Sequence, residues 1–479
     1  MPTSEVGAPS AAAVRVLPVA GQVDLLLVRP RSGVTVGVLA AALRRAGLDV
    51  RPTPALARAV RVAVPRGSDA AALADRIATG GAVHRLVLGV EPDARVAAER
   101  LPDDPLYPEQ QDYFAAIHAP AAWELVTGTP AVTVAVIDSG LALAHPDLAP
   151  RLAFNPAESP INGSDDDGNG CIDDVVGCSF VSLETADPSC GYVTPPPHPF
   201  VEDDEGHGSF VSGIAAAAGN NGDGVAGVAW NVRLLPVKVL DCTATGRIAD
   251  AAAGIRYAIA RGADVINISF GSRSDSDVLR AAVEEAIAAG VVVVASAGND
   301  GADSVTFPAA YPGVIAVAAS GRFGAGGIDY AQPAEFSNFG GRVDVFAPGR
   351  RLLSTVPHAL CGRRGWFCED GPYAFATGTS FAAPVVAGAA ALLRAQHPGL
   401  LPALVRSRLI ATAAPLGLID LEAAVSAAFY SAGLPGTSRA GGGAPAGPSA
   451  NSGAVPAEGP RVPIPANTGG GPGRARPWR

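Results

Sequence analysis

The feature that most constrains the fold is an alternation of short apolar runs with alanine-rich segments of helical periodicity, which begins after residue 130. Short, largely apolar runs are typical of strands buried on both faces of a parallel sheet. Helices between such strands cover both faces of the sheet. We therefore predict an α/β fold with a doubly wound, mainly parallel sheet. The expected strands are 131–137, 233–239, 265–268, 291–295 and 314–318, and the expected helices are 208–218, 248–261, 277–289 and 380–396.

A smaller unit precedes this pattern. Residues 14–94 contain three expected strands (23–28, 59–64 and 83–90) and two expected helices (35–46 and 69–78), which suit a small α+β unit with its own core. A chain of 479 residues is also too long for one ordinary domain. We predict an unstructured N-terminus over 1–13, the small unit and a charged connector over 14–103, the α/β unit over 104–430, and a disordered Gly/Pro-rich tail over 431–479.

The charge and hydropathy of the chain argue against two classes of partner. The formal net charge is −10, and an acidic surface repels the phosphates of nucleic acid. No run is long and apolar enough to predict a membrane span. Residues 1–20 do not form a convincing signal peptide, because Glu5 precedes any basic residue and the apolar stretch is weak.

Six cysteines allow fifteen possible pairings into three disulfides. No pair has the CxxC spacing of a zinc finger. Cys361 and Cys368 are close in sequence, and so are the first three cysteines, so we expect two local disulfides. Cys242 is then expected to be a buried free thiol. The alternative is six reduced cysteines in a cytosolic enzyme.

Four polar side chains lie where strands end or helices begin. Asp138 ends an expected strand in Val-Ile-Asp-Ser-Gly, and His207 precedes an expected helix in Gly-His-Gly. Asn299 follows another expected strand, and Ser380 begins the last long helix. Each residue alone has an ordinary alternative role, since Ser is a common helix N-cap and Asn a common turn residue.

Taken together, the four side chains have one chemistry in common. A serine hydroxyl is a weak nucleophile at neutral pH and needs a base beside it, which a histidine supplies. A buried aspartate fixes the imidazole tautomer and stabilises the imidazolium. An asparagine amide donates to the oxyanion that develops on the attacked carbonyl. We therefore predict Asp138, His207 and Ser380 as a catalytic triad, with Asn299 as the oxyanion donor.

The segments 136–140, 206–208, 296–299 and 378–388 resemble motifs of the subtilisin-like (subtilase) family of serine proteases, in the family's order. The resemblance covers roughly residues 104–428. The chain departs from the pattern at two positions. Many members have Thr where this chain has Ser209, and Met where it has Phe381. Neither departure removes a catalytic group, and a phenylalanine cannot be oxidised to a sulfoxide.

The resemblance implies a mode of substrate binding. A peptide would add as a strand between the segments 244–246 and 269–271, held mainly by backbone hydrogen bonds. Two further small residues would line the primary specificity pocket, which their size indicates to be roomy and apolar. The implied substrate-binding residues are Ala244, Thr245, Gly246, Ser269, Phe270, Gly271, Ala297 and Gly298.

The small unit over 14–94 resembles a subtilase propeptide. The resemblance implies a zymogen in which this unit is a folding chaperone and an intramolecular inhibitor. We expect the active site to cut its own chain after about Ala94 and before Asp104. The alternative is a permanent accessory domain.

The acidic run 165–171 is a candidate Ca²⁺ loop. Asp165, Asp167 and Asn169 stand at positions 1, 3 and 5 and Gly at position 6, as in the first half of an EF-hand loop. Position 12 lacks the usual glutamate, and we expect Asp173 or Asp174 to substitute for it. The alternative is a solvated acidic loop.

A second Ca²⁺ site is implied by the resemblance alone. In relatives, calcium binds where the mature N-terminus meets the loop after the histidine-bearing helix. The matching positions in this chain are Asp104, Asp147 and Asn221, with backbone carbonyls of Asp223 and Val225 to complete the coordination shell.

The sequence thus predicts a monomeric, extracellular serine endopeptidase with protein or peptide substrates and structural Ca²⁺. Two other classes compete with this prediction. One is a catalytically silent peptide-binding protein on the same fold, and the intact set of four site residues speaks against it. The other is an acid-acting relative of the sedolisin type, which uses Glu in place of His; His207 in its full context speaks against that.

Overall fold

A computed structural model describes residues 15–16, 25–52, 58–65, 68–93, 101–159 and 162–426. The predicted unstructured N-terminus over 1–13, the tail over 431–479 and most of the connector lie outside these residues. Two β-sheets with their own helices account for most of the described chain, a small one before residue 94 and a large one after residue 130.

The small sheet has five strands in the order β1-β5-β2-β4-β3, antiparallel except for the β1–β5 pair. The side chains of Thr35 and Asp69 cap the two helices, as expected from their positions before the helical segments. A buried apolar cluster that includes Leu26, Leu39 and Leu73 forms the core. The elements are β1 Arg15–Val16, β2 Leu25–Pro30, α1 Val36–Arg45, β3 Val50–Arg51, β4 Val60–Ala63, α2 Ala70–Thr79 and β5 Val87–Pro92.

One predicted strand of this unit was misplaced. Residues 83–90 were expected to be a strand, but His84–Leu86 form a 3₁₀ turn and the strand is Val87–Pro92. Val83 is buried in the core from within the turn. An apolar run indicates burial, and it does not by itself distinguish a strand from a tight turn that packs into the core.

The large sheet follows the predicted doubly wound pattern. Its strand order is β12-β11-β10-β9-β6-β8-β7, β13 also pairs with β11, and all pairs except β11–β12 are parallel. Strands β14 and β15 pair with each other in a separate antiparallel sheet. The elements after residue 100 are α3 Tyr107–Ala116, α4 Ala119–Trp123, β6 Thr133–Asp138, β7 Cys178–Ser179, α5 His207–Ala216, β8 Arg233–Lys238, α6 Ile248–Ala260, β9 Val265–Ile268, α7 Asp277–Ala288, β10 Val292–Ser296, β11 Ile315–Gly324, β12 Gly327–Pro333, β13 Val345–Pro348, β14 Leu352–Thr355, β15 Tyr373–Ala376, α8 Thr379–Gln396, α9 Pro402–Thr412 and α10 Leu421–Ser426.

The topology places a switch point of the sheet at β6. This strand pairs with β8 on one side and with β9 on the other. The strands that follow it in the chain therefore lie on both sides of it. Loops diverge at such a switch point, and functional side chains collect there. Helix α8, almost entirely buried, packs against β9, β10 and β11 and begins at the carboxyl end of the parallel strands.

All six cysteines form disulfides: Cys171–Cys178, Cys190–Cys242 and Cys361–Cys368. The two local bonds agree with the expectation, but the prediction of a free Cys242 thiol was wrong. The loops that carry Cys190 and Cys242 are held together by a hydrogen bond from the Asp187 amide to the Asp241 carboxylate at 2.8 Å. No described helix is long and apolar enough to cross a membrane.

Candidate active site

Asp138 and His207 meet at the carboxyl end of β6. Asp138 is the last residue of the strand and is fully buried, and His207 is the first residue of α5. The imidazole Nδ1 lies 2.8 Å from the Asp138 carboxylate oxygen Oδ1. The same oxygen accepts the Ser139 amide N–H at 2.8 Å, which fixes the plane of the carboxylate. The aspartate can therefore hold the imidazole with Nδ1 as the donor and Nε2 as the base.

The electrostatic surroundings favour the charged imidazole. Burial alone lowers the pKa of His207, but the charge of Asp138 and its hydrogen bond outweigh burial. Glu205 and Asp203 add to this effect, and the pKa is raised to about 9. A group of carboxylates around a buried histidine stabilises the imidazolium that forms when the base takes a proton.

The loop before His207 is held by a buried carboxylate that the sequence analysis did not single out. Asp203 accepts five hydrogen bonds, from the Ser139 hydroxyl, from the amides of Glu205 and Gly206, and from both the amide and the hydroxyl of Ser209. Burial raises the pKa of Asp203, yet the positive charge of Lys238 and these hydrogen bonds lower it overall. Ser209 therefore contributes a hydroxyl that anchors the loop.

Ser380 and Asn299 lie beside the amino end of α8. Ser380 is the second residue of the helix, and its carbonyl accepts the Ser269 hydroxyl at 2.7 Å. The side-chain oxygen of Asn299 accepts the amide and the hydroxyl of Thr379 at 2.8 and 2.9 Å. Because that oxygen is occupied, the amide nitrogen Nδ2 is the free end, and it lies 3.7 Å from the position of a Cβ on Gly378. The Asn299 amide is thus oriented as a donor at the start of the helix that carries Ser380.

A cavity of about 250 Å³ lies between the two predicted substrate segments. Its walls include Ala244, Thr245 and Gly246 on one side and Phe270 and Gly271 on the other. Arg247 and Ser272 also line the cavity, but most of the remaining lining is apolar and suits an apolar substrate group: Val239, Leu240, Ile248, Ala251, Leu279 and Phe307. The hydroxyl of Ser269 is not available to substrate, because it donates to the Ser380 carbonyl.

Ala297 and Gly298 follow β10, where packing requires small residues. Ala297 is fully buried, and its carbonyl accepts the Asn338 side-chain amide at 3.1 Å. Gly298 has φ 108°, and a Cβ there would lie 2.4 Å from Asn338 Nδ2. The position therefore excludes any larger residue.

Comparison with known proteins identifies the family. The model of the subtilase family matches residues 129–446, which is most of the chain. This chain belongs to the subtilase family. It is 37% identical over 308 residues to subtilisin from Bacillus pumilus, a match that covers 63% of this chain and 88% of that protein.

Two further relatives support the assignment. The subtilase is 37% identical over 306 residues to subtilisin NAT from Bacillus subtilis subsp. natto, covering 61% of this chain and 65%, just under two thirds, of that protein. Among solved structures, a protease from Pseudoalteromonas arctica PAMC 21717 is 29% identical with a TM-score of 0.55, over 68% of this chain and 98% of that one. The protein is a subtilisin-like serine endopeptidase, a hydrolase of peptide bonds.

The acidic loop of this subtilase contains a carboxylate that the EF-hand spacing did not reveal. Glu158 offers an oxygen that lies within 4.8 Å of oxygens of Asp165 and Asp167. It is buried, its Oε1 accepts the amides of Asp166 and Asp167 at 3.0 and 3.3 Å, and its Oε2 has no hydrogen-bond partner. Three oxygen ligands with one unpaired buried oxygen fit a hard cation such as Ca²⁺.

Other residues of this loop have structural partners instead. Asn169 Oδ1 accepts the Cys171 amide at 2.9 Å, and its Nδ2 donates to Asp174. Asp174 is buried and pairs with Arg261 at 2.6 Å and with the Tyr257 hydroxyl, and Asp173 accepts the amides of residues 162 and 163. Asp173 and Asp174 are not part of the cluster of Glu158, Asp165 and Asp167, so the expectation that one of them replaces the position-12 glutamate stays a prediction.

Asp104, Asp147 and Asn221 come together as the resemblance implied. Asn221 Nδ2 donates to Asp147 Oδ1 at 2.9 Å, and the amides of Asn220 and Asn221 face the Asp104 carboxylate. Burial raises the pKa of Asp147 to about 6, although hydrogen bonds from Asn221 and Val225 oppose the shift. Two neighbouring carboxylates in a buried setting fit a cation, which would stabilise their charged forms.

Proposed function

We propose that the subtilase cleaves peptide bonds through an acyl-enzyme in which Ser380 is the nucleophile, His207 the general base and Asp138 its orienting partner. The observation that carries the proposal is the 2.8 Å bond between His207 Nδ1 and the buried carboxylate of Asp138. This bond leaves Nε2 as the basic nitrogen, and the neighbouring negative charges favour its protonation.

In the first half of the reaction, His207 Nε2 takes the proton of the Ser380 hydroxyl while the serine oxygen attacks the scissile carbonyl. The carbonyl oxygen becomes an oxyanion, to which Asn299 Nδ2 donates a hydrogen bond. The imidazolium then gives its proton to the leaving amine, and the acyl-enzyme remains. In the second half, His207 activates a water molecule that hydrolyses the ester and restores Ser380.

The substrate peptide is proposed to bind as a strand between segments 244–246 and 269–271. The cavity of about 250 Å³ between them supports this proposal, because it is lined by both segments and by apolar side chains. Ala297 and Gly298 are proposed to border the pocket for the residue before the scissile bond.

The small unit is proposed to be a propeptide, so that the protein is made as an autoprocessed zymogen and the free unit inhibits the active site. Its separate apolar core supports independent folding. The domain boundaries proposed above place the cut between Ala94 and Asp104. In a protease-free system, Ser380→Ala protein should accumulate at full length, and normal processing of that variant would show that maturation is not autocatalytic.

Calcium is proposed as a structural cofactor in the loop of Glu158, Asp165 and Asp167, with Asn169 nearby, and at Asp104, Asp147 and Asn221. The bound cation would neutralise neighbouring carboxylates and would take no part in the chemistry, since neither cluster includes a triad residue. An extracellular location is proposed because all six cysteines pair in disulfides, which persist in oxidising compartments. The proposed site uses one chain only, in keeping with a monomer.

Substitution of Ser380 tests the proposal. Ser380→Ala should fold and lose casein hydrolysis by about 10⁶-fold, a magnitude known from subtilisin's own triad rather than derived from this structure. Ser407→Ala is the matched control, because that serine is exposed on α9, and it should keep full activity. Substantial hydrolysis by purified Ser380→Ala protein would exclude Ser380 as the nucleophile.

A further inference from the structure

The disulfide Cys361–Cys368 closes a short hairpin, residues 361–368, that the proposed mechanism does not use. Backbone hydrogen bonds from Gly362 to Trp366 and from Trp366 to Arg363, at 2.8 and 2.9 Å, shape its turn. The hairpin carries two adjacent aromatic side chains with opposite surroundings. Phe367 is 78% exposed, whereas Trp366 is 9% exposed. The hairpin therefore directs one aromatic residue inward.

Trp366 packs against the backbone that leads into His207. Its indole N–H donates to the Glu205 carbonyl at 2.7 Å. The indole also lies against Gly206, where a Cβ would be 2.3 Å from Nε1. The Glu205 carboxylate in turn accepts the amide N–H of His207 at 2.7 Å. The indole thus contacts both residues that precede the histidine.

A second path from Trp366 runs through aromatic rings. The indole stacks on Phe210 with ring centroids 5.2 Å apart, and Phe210 contacts Phe381 at 4.6 Å. Phe381 contacts the imidazole of His207 at 5.4 Å, and it directly follows Ser380 in the chain. Phe210 and Phe381 are both buried, so this path is a packed wall beside the imidazole.

The hairpin is also anchored on its other side. The Arg364 guanidinium donates to the carbonyl of Cys242, which is itself linked to Cys190. The disulfide fixes the internal shape of the hairpin, and the arginine contact ties the hairpin to the segment that carries Cys242.

We propose that Trp366 is a positioning residue that holds the His207 imidazole toward Ser380, and that the Cys361–Cys368 hairpin keeps the indole in place. This inference rests on the proposed triad. Without the indole, the Glu205 carbonyl loses its donor, Gly206 regains backbone freedom, and the ring wall beside the imidazole loses its outer member. The imidazole then spends less time in the orientation that accepts the serine proton, and turnover falls.

The test compares Trp366→Phe and Trp366→Ala with the control Phe367→Ala, which changes the exposed neighbour in the same hairpin. Two assays are run at a temperature well below unfolding. The first gives kcat and KM for a short peptide amide, and the second gives the second-order rate of reaction with a fluorophosphonate. The second reports how strongly His207 activates Ser380, without peptide binding. We expect both kcat and the fluorophosphonate rate to fall, by about 10-fold for Phe and 10²-fold for Ala, which corresponds to 1.4 and 2.7 kcal/mol. KM should stay within about threefold and Phe367→Ala within about twofold of the unmodified protein.

A rise in KM with unchanged kcat and fluorophosphonate rate would overturn the inference, because it would make Trp366 a substrate contact. Unchanged rates in all variants would overturn it as well. Should Trp366→Ala not fold, Trp366→Phe keeps an aromatic ring that can stack on Phe210 and loses the N–H donor and the five-membered ring beside Gly206. The double variant Cys361→Ser/Cys368→Ser, which loosens the hairpin and leaves Trp366 intact, should show the same parallel loss. A lack of fluorophosphonate reaction in the unmodified mature enzyme would instead refute the proposed triad.

Discussion

Replacing Asp203 by asparagine should destabilise the peptidase unit more than any exposed substitution in the same loop. Asp203 accepts five hydrogen bonds, three on Oδ1 and two on Oδ2. Asparagine replaces one of these oxygens with an NH₂ group, which cannot accept a hydrogen bond. The two or three buried donors that faced that oxygen then lose their acceptor. Each buried donor left without an acceptor costs about 1–3 kcal/mol, so the total is about 4 kcal/mol.

The expected change in melting temperature follows from this free energy. The unfolding entropy of a unit of roughly 300 residues is about 0.6 kcal/mol per kelvin, so a loss of about 4 kcal/mol lowers Tm by about 6 °C. The difference should also depend on pH. Because the folded pKa of Asp203 is lowered, its contribution is present above the unfolded carboxyl pKa and is lost as pH falls through the folded value.

The assay is a melting curve in the Ser380→Ala background, which is expected not to digest itself. The control is Glu184→Gln, which changes an exposed carboxylate elsewhere in the peptidase unit and should shift the free energy of unfolding by less than about 0.5 kcal/mol. A Tm for Asp203→Asn within 1 °C of the control, about 0.6 kcal/mol, would refute the view that this carboxylate anchors the loop before His207.

Four further predictions concern the site and its proposed cations. Asn299→Ala should lower kcat by about 10²–10³-fold with little change in KM, a magnitude known from a subtilisin oxyanion donor; a loss confined to KM would contradict the assignment. The pKa of His207 is raised to about 9, and the imidazole must be neutral to act as a base. The value of kcat/KM should therefore rise with pH through a midpoint near 9, and a midpoint at or below pH 6.5 would contradict this. The same shift predicts that the stability of Ser380→Ala protein declines as pH rises from 6.5 through 9. Chelation should lower the Tm of Ser380→Ala protein by about 4 °C, because Ca²⁺ at a hundredfold excess over its Kd adds about 2.7 kcal/mol to the free energy of unfolding. Glu158→Gln should remove part of this shift. Identical melting curves with calcium and with a chelator would exclude structural calcium.

The sequence predicted the large sheet well because its central strands are buried on both faces. The expected strand over 265–268 matches the observed strand, and those over 131–137 and 291–295 lie within two residues of the observed ones. The antiparallel strand β12 was not predicted, because it is an edge strand that has one buried residue among exposed and half-buried ones, and it contains no apolar run. The apolar runs that predicted the strands result from burial of those strands rather than from strand propensity.

The site was predicted one residue at a time, from motifs around each proposed catalytic side chain. The groups that hold those side chains were not, since they depend on contacts between distant segments. Trp366 donates to Glu205 from 161 residues away, and Cys242 pairs with a cysteine 52 residues earlier. Glu158 precedes Asp165, the first position of the EF-hand-like loop, so the ligand spacing of such a loop does not include it. Spacing in the sequence identifies side chains that belong to one loop. The side chains that support them come from distant segments, and only the folded chain shows those contacts.

The central claim is that Ser380 is a nucleophile activated by His207 and Asp138. The most direct measurement is intact-mass and peptide-level mass spectrometry of the mature enzyme after reaction with a fluorophosphonate. We expect one adduct per chain, on Ser380, which is absent in Ser380→Ala and forms far more slowly in His207→Ala. A folded mature enzyme that gains no adduct, or an adduct that persists in Ser380→Ala, would contradict the claim.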